Sequence, residues 1–156
     1  MTQLIGMSKR IAIIFLALFS ITCVSNEQDR YEGNFKKYLS EVHHTIVPIE
    51  GVMTYYVINV NECEDCIDIH LYSISNHKFR TPVTVVIVGE VIKTDWINRI
   101  QDFENRKDVL LYDDKGKGMV YDTGLQKPIT MKFVDGSLVE IIQIKDQDIQ
   151  KTVSSL

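Results

Sequence analysis

Cysteine is scarce in this chain of 156 residues, which contains only Cys23, Cys63 and Cys66. Small secreted domains that depend on disulfides for stability carry many more cysteines, so that class of protein is excluded. Three prolines and eight glycines are too few for a collagen-like or low-complexity chain. The hydrophobic content of 45% is that of an ordinary globular protein, and the length predicts a single domain.

The chain also lacks an excess of basic residues. It carries 17 Lys and Arg against 21 Asp and Glu, which gives a formal net charge of −4. Because nucleic-acid binding needs a basic face, we expect no nucleic-acid partner. A phosphate-binding loop, a nucleophile elbow and a metalloprotease motif are also missing from the sequence, and we expect no cofactor.

The sequence has a single long hydrophobic run, over residues 11–22. This run is shorter than the roughly 20 residues that a membrane span needs. Lys9 and Arg10 precede it, and a basic segment followed by a short apolar run is typical of a secretory signal. Cys23 ends the run. The stretch Ser20-Ile-Thr-Cys23 resembles the lipobox of bacterial lipoproteins, which implies lipidation of Cys23.

This interpretation predicts a signal peptide over residues 1–22, a lipid-anchored tether over 23–30 and a globular domain over 31–156. The chain would then face the periplasm or the exterior from the cell envelope, held to the membrane through Cys23. An ordinary cleaved signal, or an uncleaved anchor in which Cys23 is incidental, is the alternative.

The rest of the sequence alternates predicted strands with predicted helices. Such alternation is typical of parallel βαβ units, and an Asp135-Gly136 turn adds an antiparallel hairpin. The predicted fold class is therefore α/β, with a central mixed sheet, helices on both faces, and a C-terminal hairpin followed by a helix. The predicted strands are Val52–Val60, Val83–Val88, Asp108–Tyr112, Ile129–Val134 and Leu138–Ile144; the predicted helices cover 31–43, the segment from Ile67 to about 77, 95–105 and Asp146–Ser155.

The pair Cys63 and Cys66 has the spacing Cys-x-x-Cys, which occurs in several kinds of site. A zinc site needs four ligands, and the chain has no second such pair. His70 lies four residues after Cys66, so a metal site formed by the two cysteines and His70 stays open as an alternative. Covalent haem attachment would need a histidine where Ile67 stands.

The position of the pair favours redox chemistry. Cys63 directly follows the predicted strand Val52–Val60, and a helical stripe of Ile67, Leu71 and Ile74 follows Cys66. A cysteine at a helix N-terminus is activated because the free N–H groups and the helix dipole stabilise the thiolate. A stable structural disulfide in an exported domain is the alternative.

At this point the sequence resembles the thioredoxin-like fold, and in particular the membrane-anchored TlpA-type thiol-disulfide oxidoreductases. The resemblance runs from about Val52 to Ile144. It rests on the strand and pair up to Cys66, on the third strand with its acidic turn at 109–116, and on the segment 127–136. It implies that Pro128 is a cis-proline packed beside the cysteine pair. It also implies that Cys63 attacks a partner disulfide and that Cys66 resolves the mixed disulfide.

Four residues around the pair depart from the family pattern. Glu62 replaces the usual aromatic residue, Glu64 and Asp65 replace a small or proline-containing dipeptide, and Lys127 stands before the proline. By their place in the motif, Glu64, Asp65 and Lys127 are expected to contact a partner. The sequence thus predicts an exported oxidoreductase that acts on protein thiols or disulfides. A redox-inert binding module on the same fold and a metal carrier are the alternatives.

Overall fold

A computed structural model of the chain describes residues 27–61, 64–90, 96, 98 and 110–156. The predicted signal peptide, Cys23, Glu62 and Cys63 lie outside the described residues, as does nearly all of the predicted helix over 95–105. In the described part of the chain, no helix is both long and apolar enough to cross a membrane.

The described part of the chain is α/β, with a five-stranded mixed sheet and three α-helices whose bounds can be given. In chain order, the elements are α1 (27–42), β1 (Val52–Asn59), α2 (Glu64–Ser75), β2 (Val83–Val88), β3 (Leu110–Asp113), β4 (Ile129–Val134), β5 (Ser137–Gln143) and α3 (Ile149–Ser155). Short 3₁₀ helices cover Lys117–Val120 and Asp146–Asp148. Trp96 and Asn98 are also helical.

The sheet has the order β3-β2-β1-β4-β5. The strands β1, β2 and β3 are parallel, whereas β4 is antiparallel to β1 and β5 is antiparallel to β4. The two central strands, β1 and β2, are rich in β-branched and aromatic residues and are almost entirely buried. Continuous burial of this kind is expected where helices cover both faces of a sheet.

Helices lie on both faces, as the sequence predicts. On one face, Phe35, Tyr38 and Leu39 of α1 pack with Tyr55 and Val57 of β1. On the other face, a second cluster joins α2, α3 and the opposite side of β1. Its main members are Tyr56, Ile58, Ile67, Leu71, Ile74, Ile149 and Val153. The alternation of side chains along β1 therefore separates two hydrophobic cores.

The predicted Asp135-Gly136 turn is confirmed. Both residues have positive φ angles, 49° and 77°, which is the backbone that a tight hairpin between twisted strands requires. The turn connects β4 to β5, which pair antiparallel as predicted from the sequence, with a register shift between Lys132 and Phe133.

Several element boundaries differ by a few residues from those predicted, and two of these differences involve polar side chains. The helix α1 already covers residues 27–30, which the sequence assigns to a tether, and the Gln28 side chain donates to the carbonyl of Leu138 at 2.6 Å. The strand β3 continues through Asp113 instead of ending at Tyr112. Asp113 is only 3% exposed, and its burial is compensated by backbone and side-chain hydrogen bonds that a local pattern does not reveal.

Candidate functional site

Cys66 is the third residue of α2 and takes part in a disulfide. Its side chain is buried, with 7% of its surface exposed. The other two cysteines of the chain, Cys23 and Cys63, lie outside the described residues. In the described part of the chain, the site therefore centres on an oxidised, nearly inaccessible sulfur in the first turn of a helix.

The fold places this sulfur at the edge where parallel strands end. The strand β1 ends at Asn59, and α2 begins five residues later at Glu64. The carboxyl ends of β2 and β3 lie at the same edge, because both strands are parallel to β1. Ligand sites in open α/β sheets gather at this edge. Asp65 is exposed in the first turn of α2, where a negative charge interacts favourably with the helix dipole.

Pro128 reaches the same edge from a distant part of the sequence. Ile129 pairs with Val57 in the antiparallel β1–β4 ladder, so Pro128 lies beside the carboxyl-terminal half of β1. Pro128 is buried, and its carbonyl accepts a hydrogen bond from Ile144 N–H at 2.8 Å. Lys127 is exposed. The predicted convergence of the start of β4 on this edge is confirmed.

The predicted cis geometry of Pro128 is wrong. The described residues contain no cis peptide bond, so the Lys127–Pro128 bond is trans. The trans form is favoured for X–Pro bonds by roughly 0.5–1 kcal/mol, and the strand start is a position that tolerates proline because no ladder donor is needed there. Pro128 therefore acts here as an ordinary proline that opens a strand.

Asn59 connects the end of β1 to the segment that precedes Pro128. It is a polar residue with only 2% exposure. Its side-chain amide lies 3.3 Å from the carbonyl oxygen of Gln126 and 3.5 Å from that of Leu125, and it donates to both. Its side-chain oxygen accepts the Asn61 N–H at 2.9 Å. The buried amide thereby holds three backbone groups at the sheet edge.

His70 lies one helical turn after Cys66 and is completely buried. Its Nδ1 is 2.7 Å from the hydroxyl of Tyr56, whereas its Nε2 is buried with no hydrogen-bond partner. Burial lowers the pKa of His70 to about 4, opposed by a smaller electrostatic effect of Asp146. Burial likewise raises the pKa of Tyr56. Both groups are therefore neutral at physiological pH.

A cleft of about 580 Å³ opens at the same sheet edge. Gly89 forms part of its floor with φ of 110°, and a Cβ atom at this position would lie 2.6 Å from Val60 Cγ2. The close approach of the β1 and β2 ends therefore depends on glycine. The described lining residues are Asn61, Gly89, Glu90, Asp114, Lys115 and Gly116.

A second cavity, of about 330 Å³, lies between the amino-terminal half of β1 and α3. Val52 and Thr54 contribute to it from β1, and Lys132 and Glu140 contribute from β4 and β5. It is remote from the carboxyl ends of the strands, so it does not belong to the Cys66 site.

Asp113 connects the end of β3 to α1 through hydrogen bonds. Its carboxylate accepts the Gly118 N–H at 2.6 Å and the Tyr38 hydroxyl at 3.4 Å. The Tyr38 oxygen is also 2.9 Å from His43 Nε2. Burial, together with the nearby Asp113 charge, raises the pKa of Tyr38. This network stabilises the edge of the sheet on the face opposite to Cys66.

Sequence reasoning missed the structural roles of Asn59, Tyr56 and Asp113. An asparagine within the apolar run Val52–Val60 is the one local signal that could have identified a buried polar contact. His70 was interpreted either as an ordinary solvated or hydrogen-bonded histidine or as a metal ligand one turn after Cys66, and its burial against Tyr56 was not predicted. The Glu64 side chain lies outside the described part of the chain, so its predicted contact with a partner stays a prediction.

Comparisons of this chain with family models, with curated proteins and with solved structures found no match.

Chemically, the described arrangement offers a buried sulfur that is already oxidised, a neutral imidazole one turn away, and an open cleft at the adjoining strand ends. A disulfide is the one group among these that can accept electrons from a thiol without a bound cofactor.

Proposed function

We propose that this chain is an exported thiol-disulfide oxidoreductase of the thioredoxin-like class, acting on protein thiols or disulfides. The observation that supports it most is the disulfide at Cys66, in the first turn of the helix that follows β1. The sheet order β3-β2-β1-β4-β5 and the helices on both faces are compatible with that class.

In the proposed reaction, the Cys63 thiolate attacks one sulfur of a partner disulfide. A mixed disulfide forms, and the other partner sulfur leaves as a thiolate that takes up a proton. Cys66 then loses its proton and attacks Cys63, which releases the reduced partner and leaves an internal disulfide. The burial of Cys66 supports its assignment as the resolving residue, because an attacking sulfur must be reachable by another protein.

Reduction of insulin disulfides by the full chain, purified in detergent with dithiothreitol as the electron source, tests this proposal. Cys63→Ser and Cys66→Ser should each abolish the catalysed rate. Cys23→Ser is the matched control, since it removes the third cysteine and should leave the rate unchanged.

Two results would contradict the mechanism. Activity that persists in Cys63→Ser would show that the pair is not the reacting centre. A wild-type rate no faster than that of dithiothreitol alone, with a correctly formed Cys66 disulfide, would instead favour a redox-inert binding module on the same fold.

We also propose that the chain is lipid-anchored in the cell envelope through Cys23. The support is the sequence alone, namely the basic residues before the run 11–22 and the cysteine that ends it. Intact-mass measurement of the membrane fraction should show a chain that begins at Cys23 and carries acyl groups. An unmodified Cys23 in a released chain would overturn lipidation and leave export untouched.

One specific observation favours metal binding as a second candidate function. The free, buried Nε2 of His70, with Nδ1 held by Tyr56, matches the way protein histidines are oriented toward metals by a partner at the other nitrogen. In the described residues, no group of three His, Cys, Asp or Glu side chains is arranged to hold an ion. A site would therefore require the reduced sulfur of Cys66 and ligands beyond the described part of the chain.

Zinc titration of the reduced full chain against a chromophoric chelator tests this second function. Stoichiometric binding that is lost in His70→Ala and retained in His77→Ala would support it. Binding that is equal in both variants would exclude His70 as a ligand.

A further inference from the structure

The unpartnered Nε2 of His70 requires an explanation. Its side chain has no exposed surface, and a buried polar nitrogen without a partner costs roughly 1–3 kcal/mol. In a native protein each such exception calls for a physical reason, and a redox role is one of them. In the structure Cys66 is in a disulfide, and the simplest other state of the molecule is the one in which this disulfide is reduced.

The helix places the two side chains on one face. Residues four apart in an α-helix are neighbours, and side chains lean toward the helix N-terminus. The spacing therefore puts the side chain of His70 on the same face of α2 as Cys66, one turn further along. Both side chains are buried, at 0% and 7% exposure. The hydrogen bond at Nδ1 from Tyr56, across to β1, fixes the orientation of the ring.

Hydrogen-bond counting selects the tautomer. If the Tyr56 hydroxyl donates to Nδ1, the single unpaired group is the Nε2–H. If Nδ1–H donated to Tyr56 instead, both the Tyr56 hydroxyl proton and the Nε2 lone pair would lack partners. The first arrangement leaves fewer unpaired groups, so Nε2 carries the proton and is a donor without an acceptor.

We propose that His70 is a redox-linked positioning residue whose Nε2–H donates a hydrogen bond to the Cys66 sulfur when the disulfide is reduced. Reduction by two glutathione molecules breaks the S–S bond, produces two protein thiols and yields one glutathione disulfide. A neutral sulfur in the disulfide is only a weak acceptor, whereas the reduced Cys66 sulfur that has lost its proton to water carries a full negative charge and accepts this bond. The imidazole keeps its proton throughout.

The consequence is a preference for the reduced state, which makes the protein a stronger oxidant. Hydrogen bonds to charged groups are stronger than neutral ones. The thiolate form of Cys66 therefore gains most from this bond. Within the described ranges, the other titratable groups that act on His70 are Tyr56 from β1 and Asp146 from the 3₁₀ helix before α3. Tyr56 contacts Nδ1, and the Asp146 carboxylate has no proton to donate, so the donor to the Cys66 sulfur is the Nε2–H of His70. This inference rests on the proposed function only in requiring a reducible Cys66 disulfide.

The test is redox equilibration of the full chain in glutathione buffers at pH 7 with EDTA present, read out by thiol alkylation and mass. His70→Leu should lower the equilibrium constant for reduction about tenfold, which corresponds to about 30 mV toward more negative potential. His70→Gln keeps a side-chain N–H donor and should restore most of the difference. His77→Phe is the matched control, because the Nε2 of His77 is also buried and unpaired but lies eleven residues from Cys66.

A potential in His70→Leu equal to that of wild type would overturn the inference, as would identical shifts in the Leu and Gln variants, which would indicate a merely structural role. If His70→Leu does not fold, ¹⁵N spectra of the wild-type imidazole decide. The Nε2–H proton should move downfield on reduction, and an unchanged signal would refute the bond. If His70→Leu shifts the reduction potential but the wild-type protein does not reduce insulin, the proposed function is rejected and this inference stands. If the wild-type protein reduces insulin but His70→Leu leaves the potential unchanged, this inference is rejected and the proposed function stands.

Discussion

The side-chain amide of Asn59 donates a hydrogen bond to the carbonyl oxygen of Gln126, 67 residues away, at 3.3 Å. The bond joins the end of β1, which leads to the cysteine pair, to the segment that leads to Pro128. Two remote parts of the sequence thus meet through one buried polar side chain that is 2% exposed.

Asn59→Asp should destabilise the protein by roughly 2 kcal/mol or more. The substitution replaces an amide donor with a carboxylate that faces the carbonyl oxygens of Leu125 and Gln126, in a site closed to water. Urea unfolding measures the change. Asn34→Asp serves as the control, because Asn34 also donates to a carbonyl, that of Asp122, but its hydrogen bond is exposed to solvent. An equal decrease in the free energy of unfolding in both variants would show that burial at Asn59 is not the cause.

Tyr56→Phe should lower the free energy of unfolding by about 1–2 kcal/mol, because it leaves the buried Nδ1 of His70 without its partner. The matched control is Tyr55→Phe. Tyr55 lies on the opposite face of the same strand and contacts Phe35 and Phe133 through its ring, which that change preserves. Thermal unfolding of both variants measures the two changes in stability. A Tyr56→Phe protein as stable as wild type would contradict this prediction.

Stability should decrease as the pH falls from about 6.5 toward 4. The pKa of His70 is lowered from 6.5 to about 4 by burial, so in this window the unfolded chain binds a proton that the folded protein does not. The unfolded state is then favoured by about 1.4 kcal/mol per pH unit at most. Above pH 6.5 the effect vanishes, because His70 is neutral in both states.

Urea unfolding of the oxidised protein at pH 5 and pH 7.5 measures this dependence. The difference between the two pH values should shrink in His70→Gln, which cannot take up the proton. It should persist in His44→Asn, since His44 is exposed and its positive φ of 53° is one that asparagine tolerates. A pH dependence identical in all three proteins would show that His70 does not contribute.

Gly89→Ala should destabilise the protein by about 3 kcal/mol. The φ of 110° disfavours any side chain, and the added Cβ would lie 2.6 Å from Val60 Cγ2. The comparison is Gly33→Ala in α1. That glycine is exposed, and a Cβ there meets nothing within 4 Å, so alanine should stabilise the helix by roughly 0.5–1 kcal/mol. Melting temperatures should move in opposite directions; a common direction would contradict the geometry at Gly89.

The order of strands and helices could be predicted because each element carries its own periodic pattern. Val83–Val88 is a strand with the predicted bounds, and Ile67, Leu71 and Ile74 are buried together on α2 as their spacing indicates. The Asp135-Gly136 hairpin is likewise encoded locally. The extension of β3 to Asp113 was not predictable, because an aspartate at that position is buried only with help from Tyr38 and Gly118.

The site was predictable in part. The position of Cys66 at the start of a helix follows from the strand before it and the stripe after it. The isomer of the Lys127–Pro128 bond did not follow, since a local sequence sets only a small preference for trans and the expectation of cis came from a family resemblance.

The sequence alone determined the α/β class, the five strands, the hairpin and the helix that begins beside Cys66, because backbone preference and hydrophobic period act between near neighbours. Only the tertiary structure decided which buried polar groups find partners. Tyr56 meets His70 across 14 residues and Asn59 meets Gln126 across 67, and neither distance leaves a periodic signal. The same packing leaves the Nε2 of His70 unpaired, because a core that excludes water satisfies only the polar atoms that the chain geometry brings within reach.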